Sequence, residues 1–383
     1  MVSKNVIMAA LVLGVSGRSV AFLGMGGAQR MVWSSSSARI ARQAQGVYGR
    51  RSSASGSSNG LSMSDSEFDA YDSKVTFMFP GQGAQYLGMA ATICDEVPKA
   101  KELFDTASGI LGYDLLEKCK NGPKDTLDST EVSQPAIFVC SMAALEKLRL
   151  EKGDSALDEA TCAMGLSLGE YSALCFAGAL SFEDGVKVTK ARRAMQAASD
   201  ATDGSMVSVI GLKAENVQEI CDAAAKKSEQ PVQIANFLCN GNYAVSGASK
   251  ACDVVEQIAK PDFKARMTVR LAVAGAFHTK FMEAAVDKAS CSIDPLGVVL
   301  DSIELKKPRI PVISNVDAVP HSDPSVIKDI LKKQVTNPVQ FEQSLANVMG
   351  RGFQYGYECG PGKVVAGILK RVDKKALMTN VEV

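Results

Sequence analysis

The chain has 383 residues, enough to bury a full core as one large domain with an insertion or as two domains. Forty-two basic residues balance forty-two acidic ones, so no global field favours nucleic acid, and 46% hydrophobic content is that of a globular protein. Ten cysteines without a C-x-x-C, and only two histidines, leave no cluster that reads as a zinc site. Most of the cysteines sit in apolar segments and read as buried, reduced thiols in a reducing compartment.

In chain order, residues 1–73 read as an address rather than a domain. Lys4 precedes the apolar run "VIMAALVLGV", of signal-peptide length, and "SGRSVAFLG" follows with small residues before Phe22. A Ser-, Gly-, Ala- and Arg-rich stretch then runs to Ser64, and no acidic residue occurs before Asp65. A signal-like segment followed by a transit-like tail resembles the bipartite presequences that direct proteins into complex algal plastids, which implies a plastid stroma location. The competing reading is a plain secretory signal with a linker. Beyond it, no clean apolar run of ~20 residues reads as a membrane span.

From there the pattern is α/β. "VTFMF", Val75–Phe79, is a short buried strand running into a Pro-Gly turn. "PAIFVCSMAALEKLRL" has helical spacing, "ATCAMGLSLGEYSALCFAGAL" reads as strand, tight turn and helix, and "FEDGVKVTKARRAMQAAS" as one further helix. Residues 204–268 then read strand, helix, strand, strand, helix, strand, the split βαβ or ferredoxin-like order. They form a small insert in a body made of 74–203 and 269–383. "RIPVISNV" and "FQYGYECG" read as returning body strands. Gly360–Lys363 could suggest phosphate at a helix start, but it lacks the full P-loop pattern, and a tight turn into the last helix is the preferred reading.

The chemistry centres on Gly165-Leu166-Ser167-Leu168-Gly169, a G-x-S-x-G between an apolar strand and a helix. A serine hydroxyl needs a fixed, exposed position and a base. A strand-to-helix turn supplies the position, and the N–H of Leu168 can face a developing oxyanion. The base must come from His278, between a strand and a helix, or His321, in the polar, proline-bounded "AVPHSDPS" of surface character. His278 is the better placed. A carboxylate usually orients such an imidazole, but none is marked, and a backbone carbonyl can serve.

Six ordered motifs, "FPGQGAQ", "SQPA", "GLSLGEYSAL", "GAFHTKFM", "KQVTNPVQF" and "ECGPGK", together resemble the malonyl-CoA:acyl carrier protein transacylases of type II fatty acid synthesis across the whole chain beyond the presequence. Leu166, where many bacterial members carry His, looks like the plant and algal form. The resemblance implies an α/β-hydrolase-like body with the ferredoxin-like insert. It also implies ping-pong transfer of malonyl from malonyl-CoA, through Ser167, to the phosphopantetheine thiol of acyl carrier protein. His278 is then the base, the backbone carbonyl of Gln334 its orienter, and the N–H groups of Gln82 and Leu168 the oxyanion hole. Gln134 lines the site, and Asn236 is a weaker match on the insert side.

A carboxylated acyl group calls for a guanidinium. The family pattern is R-x-x-x-M-Q; here "KARRAMQ" is one residue short, which leaves Arg192, preferred, or Arg193. No bound cofactor or metal is implied, since the substrates carry CoA and phosphopantetheine. The expected partners are malonyl-CoA and carrier protein, without nucleic acid or membrane, and the expected state is a monomer. A Ser–His hydrolase and an inactive carrier-docking relative are the alternatives.

Overall fold

The computed structural model describes residues 67–271, 275–286 and 295–383. The leader read from sequence, up to residue 66, and residues 272–274 and 287–294, Cys291 among them, lie outside the described residues. Residues 67–73, read from sequence as the end of the leader, are in place against the body. Ser73 is buried and its Oγ donates to the Val348 carbonyl at 2.6 Å, while Arg351 lies 4.1 Å over the Tyr71 ring.

In chain order the main elements are β1 (Val75–Phe79), α1 (Pro98–Leu111), α2 (Thr130–Lys152), β2 (Cys162–Gly165) and α3 (Leu168–Phe176). Next come α4 (Phe182–Ala191), α5 (Arg193–Asp200), β3 (Gly204–Ile210), α6 (Ala214–Ser228), β4 (Val232–Cys239) and β5 (Asn242–Ala248). The chain continues through α7 (Ser249–Ala259), β6 (Met267–Arg270), α8 (Leu296–Ser302), β7 (Val312–Ile313) and α9 (Pro324–Gln334). It closes with α10 (Phe341–Gly350), β8 (Tyr355–Cys359), α11 (Val364–Val372) and β9 (Leu377–Val381).

The body is a parallel sheet in the order β7-β2-β1-β8-β9. All five residues of β1 are buried, as a parallel strand covered on both faces requires. Phe77 stacks on Phe176 of α3 with ring centroids 4.5 Å apart. The register pairs Phe79 with Gly165, so β1 and β2 end level and the loops that follow them lie side by side. That edge, the carboxyl end of a parallel sheet, is where open α/β sheets place their ligands.

The second sheet is antiparallel, in the order β4-β5-β3-β6, with α6 and α7 packed on it. This is the ferredoxin-like arrangement, and β6 reaches Arg270. It has a core of its own, built around Val207, Val217, Ile220 and Val255. Its edge strand β4 meets the body: Phe237 N–H donates to the Val339 carbonyl and Val339 N–H to the Ala235 carbonyl.

Two local readings differ from the structure. The single helix expected over "FEDGVKVTKARRAMQAAS" is broken at Arg192, which ends α4 and precedes α5. β9, a fifth body strand, has no counterpart in the sequence reading. At Gly360–Lys363 the chain does turn into α11. The first turn of that helix is met by Glu358, whose two oxygens accept from the N–H groups of Val365 and Ala366 at 2.8 Å each. An acid of the chain thus fills the place a phosphate would take.

The nine described cysteines are free thiols, eight of them buried and Cys175 half-buried. Burial pushes Cys94 up to about 11 and Cys175 and Cys221 up to about 12, which keeps them protonated and unreactive. Among the described residues no helix is long and apolar enough to cross a membrane, and no cluster of three His, Cys, Asp or Glu is placed to hold a metal ion.

Candidate active site

Ser167 sits on the turn between β2 and α3 with φ 51° and ψ −97°, a strained conformation for a residue with a side chain. The flanking glycines make the turn possible by close approach. A Cβ on Gly165 would lie 2.0 Å from the Gly169 carbonyl carbon, and one on Gly169 would lie 2.2 Å from the Phe79 oxygen. The strain is held from both sides of the serine. Its N–H donates to Asn315 Oδ1 at 2.6 Å, and its carbonyl accepts from Gln334 Nε2 at 2.8 Å.

His278 Nε2 lies 2.9 Å from Ser167 Oγ, and Nδ1 lies 2.8 Å from the backbone oxygen of Gln334. The carbonyl fixes the tautomer: Nδ1 carries the proton and donates it to Gln334, so Nε2 is free to accept the serine proton. Gln334 is the last residue of α9, so this carbonyl is one of those the helix leaves unpaired at its negative end. Burial lowers His278 to about 4, opposed by the Gln334 bond and reinforced by the nearby Arg192 charge. The imidazole is therefore neutral and able to act as a base across the physiological range.

Leu168, the first residue of α3, presents an N–H at the positive end of that helix. The loop after β1 lies against the same turn, since a Cβ on Gly81 would fall 2.3 Å from the Leu166 oxygen. That contact brings Gln82 next to the nucleophile. The Gln82 side chain is held by Thr130 at 3.3 Å and by Gln134 at 3.0 Å.

Arg192 is 0% exposed. Its Nε donates to Gln134 Oε1, its NH1 to Gln334 Oε1 at 2.7 Å and its NH2 to Ser167 Oγ at 3.2 Å, while its carbon lies 4.9 Å over the Tyr171 ring. Among the described residues no carboxylate pairs with it. A buried guanidinium without a counter-ion costs several kcal/mol. Here neutral amides and a ring face carry part of that cost, and two of its five N–H donors are left over for a further acceptor. Arg193, the alternative, is one-third exposed and lies 3.7 Å from Glu131.

The acyl transferase domain family matches residues 76–382. The mitochondrial malonyl-CoA-acyl carrier protein transacylase of Mus musculus is 40% identical over 311 residues, covering 78% of this chain and 79% of that protein. The malonyl CoA-acyl carrier protein transacylase of Bacillus subtilis is 37% identical over 304 residues, covering 79% of this chain and 92% of its own. The chain belongs to the malonyl-CoA-acyl carrier protein transacylase family. Its fold matches the solved transacylase of Coxiella burnetii with a TM-score of 0.74 at 34% identity, covering 82% of this chain and 95% of the other. A malonyl-transacylase solved in complex with a type II polyketide acyl carrier protein matches with a TM-score of 0.74 at 32% identity, covering 81% and 96%.

The residues expected from the family motifs are brought together with one exception. Ser167, His278, Gln334, Arg192, Gln134 and Gln82 form one connected set of hydrogen bonds. Asn236, on β4, stays apart from that set. It pairs through backbone with Val339, and its buried Oδ1 has no hydrogen-bond partner among the described residues. His321, read as a surface histidine, is instead only 8% exposed and lies 2.9 Å from Asp317, because the loop after β7 folds under α3. Glu170, Asn315 and the side chain of Gln334 were not singled out by sequence reasoning. Glu170 had one legible signal, an acid on the apolar helix that follows the nucleophile.

Proposed function

We propose that the chain moves malonyl from malonyl-CoA to the phosphopantetheine thiol of an acyl carrier protein through a malonyl ester on Ser167. Ser167 Oγ attacks the thioester carbonyl while its proton passes to His278 Nε2. The oxyanion forms against the N–H groups of Gln82 and Leu168. The carbon–sulfur bond breaks, and His278 returns the proton to the departing CoA thiolate. The carrier thiol then gives its proton to His278 and attacks the ester, and Ser167 recovers the proton as the acyl group leaves.

The observation that carries this reading is Arg192, a buried guanidinium 3.2 Å from the nucleophilic oxygen and without a counter-ion among the described residues. It is placed to take the free carboxylate of malonyl in a two-pronged contact. A hydrolase of neutral acyl chains has no use for such a charge. The reading needs no resident cofactor or metal, and the chain acts as a monomer on soluble substrates. The composition of the N-terminal segment supports plastid import; a fluorescent fusion of residues 1–73 that stays in the cytosol or is secreted would exclude it.

Incubation with malonyl-CoA followed by intact-mass analysis tests the chemistry. A single malonyl adduct is expected on the native chain and none on Ser167→Ala. Added holo carrier protein should clear the adduct and become malonylated. CoA release at the same rate without carrier, with free malonate as product, would make the chain a hydrolase.

A further inference from the structure

Glu170 is a buried acid, 3% exposed, one helical turn beyond the nucleophile, and it plays no part in the steps above. Its Oε2 accepts two hydrogen bonds, from Gln334 Nε2 at 2.7 Å and from the Asn315 backbone N–H at 3.1 Å. Those two residues hold the strained turn. Asn315 Oδ1 takes the Ser167 N–H, and its Nδ2 donates to the Gly165 carbonyl at 2.8 Å. The Gln334 amide takes the Ser167 carbonyl and, with its oxygen, Arg192 NH1. That amide therefore lies between a cation and an acid, with its oxygen turned to the guanidinium and its nitrogen to the carboxylate. Rotating it by half a turn would set like poles against both ends.

We propose that Glu170 is the positioning residue of this site: one carboxylate oxygen fixes Asn315 and Gln334, and through them the serine turn and the guanidinium that meets the acyl carboxylate. The proposal rests on the malonyl-transfer reading and deepens it. Its second part concerns charge. Among the described residues Arg192 has no counter-ion in direct contact, and Glu170 reaches it through one amide. An ionised Glu170 partly satisfies Arg192 and so competes with the malonyl carboxylate, whereas a protonated Glu170 does not.

The surroundings let that charge change near neutral pH. Burial pushes Glu170 up to about 7, opposed by the bonds from Gln334 and Asn315. The charged and titratable groups facing it are Arg192 at the break between α4 and α5, Tyr171 on its own helix, and Asp317 and His321 on the loop after β7. Glu170 and His321 border one cavity of about 10 Å³, otherwise lined by Ser314 and apolar side chains of α3, β7 and α9. It has room for about one water. His321 Nδ1 is buried there without a hydrogen-bond partner among the described residues, while Nε2 is held by Asp317 at 2.9 Å. Asp317, whose side chain is 41% exposed, and His321 thus stand between solvent and the cavity that Glu170 borders.

Two variants separate geometry from charge. In Glu170→Gln the side-chain oxygen can still accept both hydrogen bonds, while the charge is lost and an NH2 takes the place of the other oxygen. In Glu170→Ala both holders lose their anchor. Steady-state transfer and the Ser167 malonyl adduct are measured in the full chain from pH 5.5 to 8.5 for native, Glu170→Gln and Glu170→Ala proteins, with thermal melting as a folding control. The native KM for malonyl-CoA is expected to rise several-fold as pH passes through about 7. Glu170→Gln should flatten that rise and keep kcat within about threefold, and folded Glu170→Ala should lose about tenfold or more in kcat. The CoA phosphates titrate alike in all three proteins, so the difference between them is the readout. An unchanged KM profile in Glu170→Gln overturns the charge role, even if Glu170→Ala does not fold. A folded Glu170→Ala with native kcat overturns the positioning role. Failure of the native chain to form the adduct sinks the malonyl-transfer reading instead.

Discussion

The two sheets serve the site in different ways. The parallel body delivers groups through the ends of its elements. Ser167 caps the start of α3, Gln334 closes α9, and Arg192 stands between α4 and α5. The antiparallel sheet delivers almost nothing at its ends and touches the site from the flank. Gln233 Nε2 donates to the His278 carbonyl at 3.3 Å, and β4 steadies the segment around Val339. The body thus sets the chemistry and the small sheet supports one wall. Helix termini explain the asymmetry, because they hold the unpaired N–H and C=O groups with which a reaction can be steered, whereas sheet interiors have spent theirs.

That contrast can be broken most forcefully at the body. His278→Ala should lower kcat by about 10³- to 10⁴-fold in a transfer assay. Its pH behaviour sharpens the point. Folding lowers this base from 6.5 to about 4, so the active, neutral form persists well below the usual histidine range. Activity should hold as pH falls from 6.5 and be lost through about 4. The same shift stabilises the fold fully above pH 6.5, and that contribution disappears as pH drops through about 4. An acid limb of kcat/KM near 6.5 would show an exposed imidazole instead.

Arg192→Ala should come next. It is expected to cut selectivity for malonyl-CoA over acetyl-CoA by about 10²-fold, mostly through malonyl-CoA, while Arg193→Ala stays within about twofold. Competition assays with the two thioesters measure both. The smallest effect is expected on the flank. Gln233→Ala removes one long hydrogen bond to a backbone oxygen and should cost no more than about fivefold in kcat. A loss as large as that of His278→Ala would erase the distinction between the two sheets.

Much of this was legible in the chain. Val75–Phe79 is apolar except for Thr76 and ends at Pro-Gly, and it is a fully buried strand with those bounds. The strand-turn-helix around Ser167 and the order of elements in the small sheet followed from periodicity and from glycine. The base was narrowed by scarcity, since the chain holds two histidines. What stayed hidden depends on partners far away in sequence. Glu170 and Gln334 are 164 residues apart, and Glu170 and Asn315 are 145 apart. No local pattern announces such pairs. His321 lies among polar and proline residues, the usual dress of a surface loop, and is buried by tertiary packing alone. β9, "LMTNV", carries two polar residues and is largely uncovered, because it is an edge strand with only one neighbour.

The break at Arg192 has a further consequence. In an unbroken helix, removing one residue rotates every later side chain by about 100°. Here the guanidinium belongs to a joint between two short helices, anchored by Gln134, Gln334 and Tyr171. Its place is inherited from those anchors and not from the phase of the helix after it. A residue gained or lost beside this arginine would therefore turn the helix that follows and leave the cation where its anchors hold it.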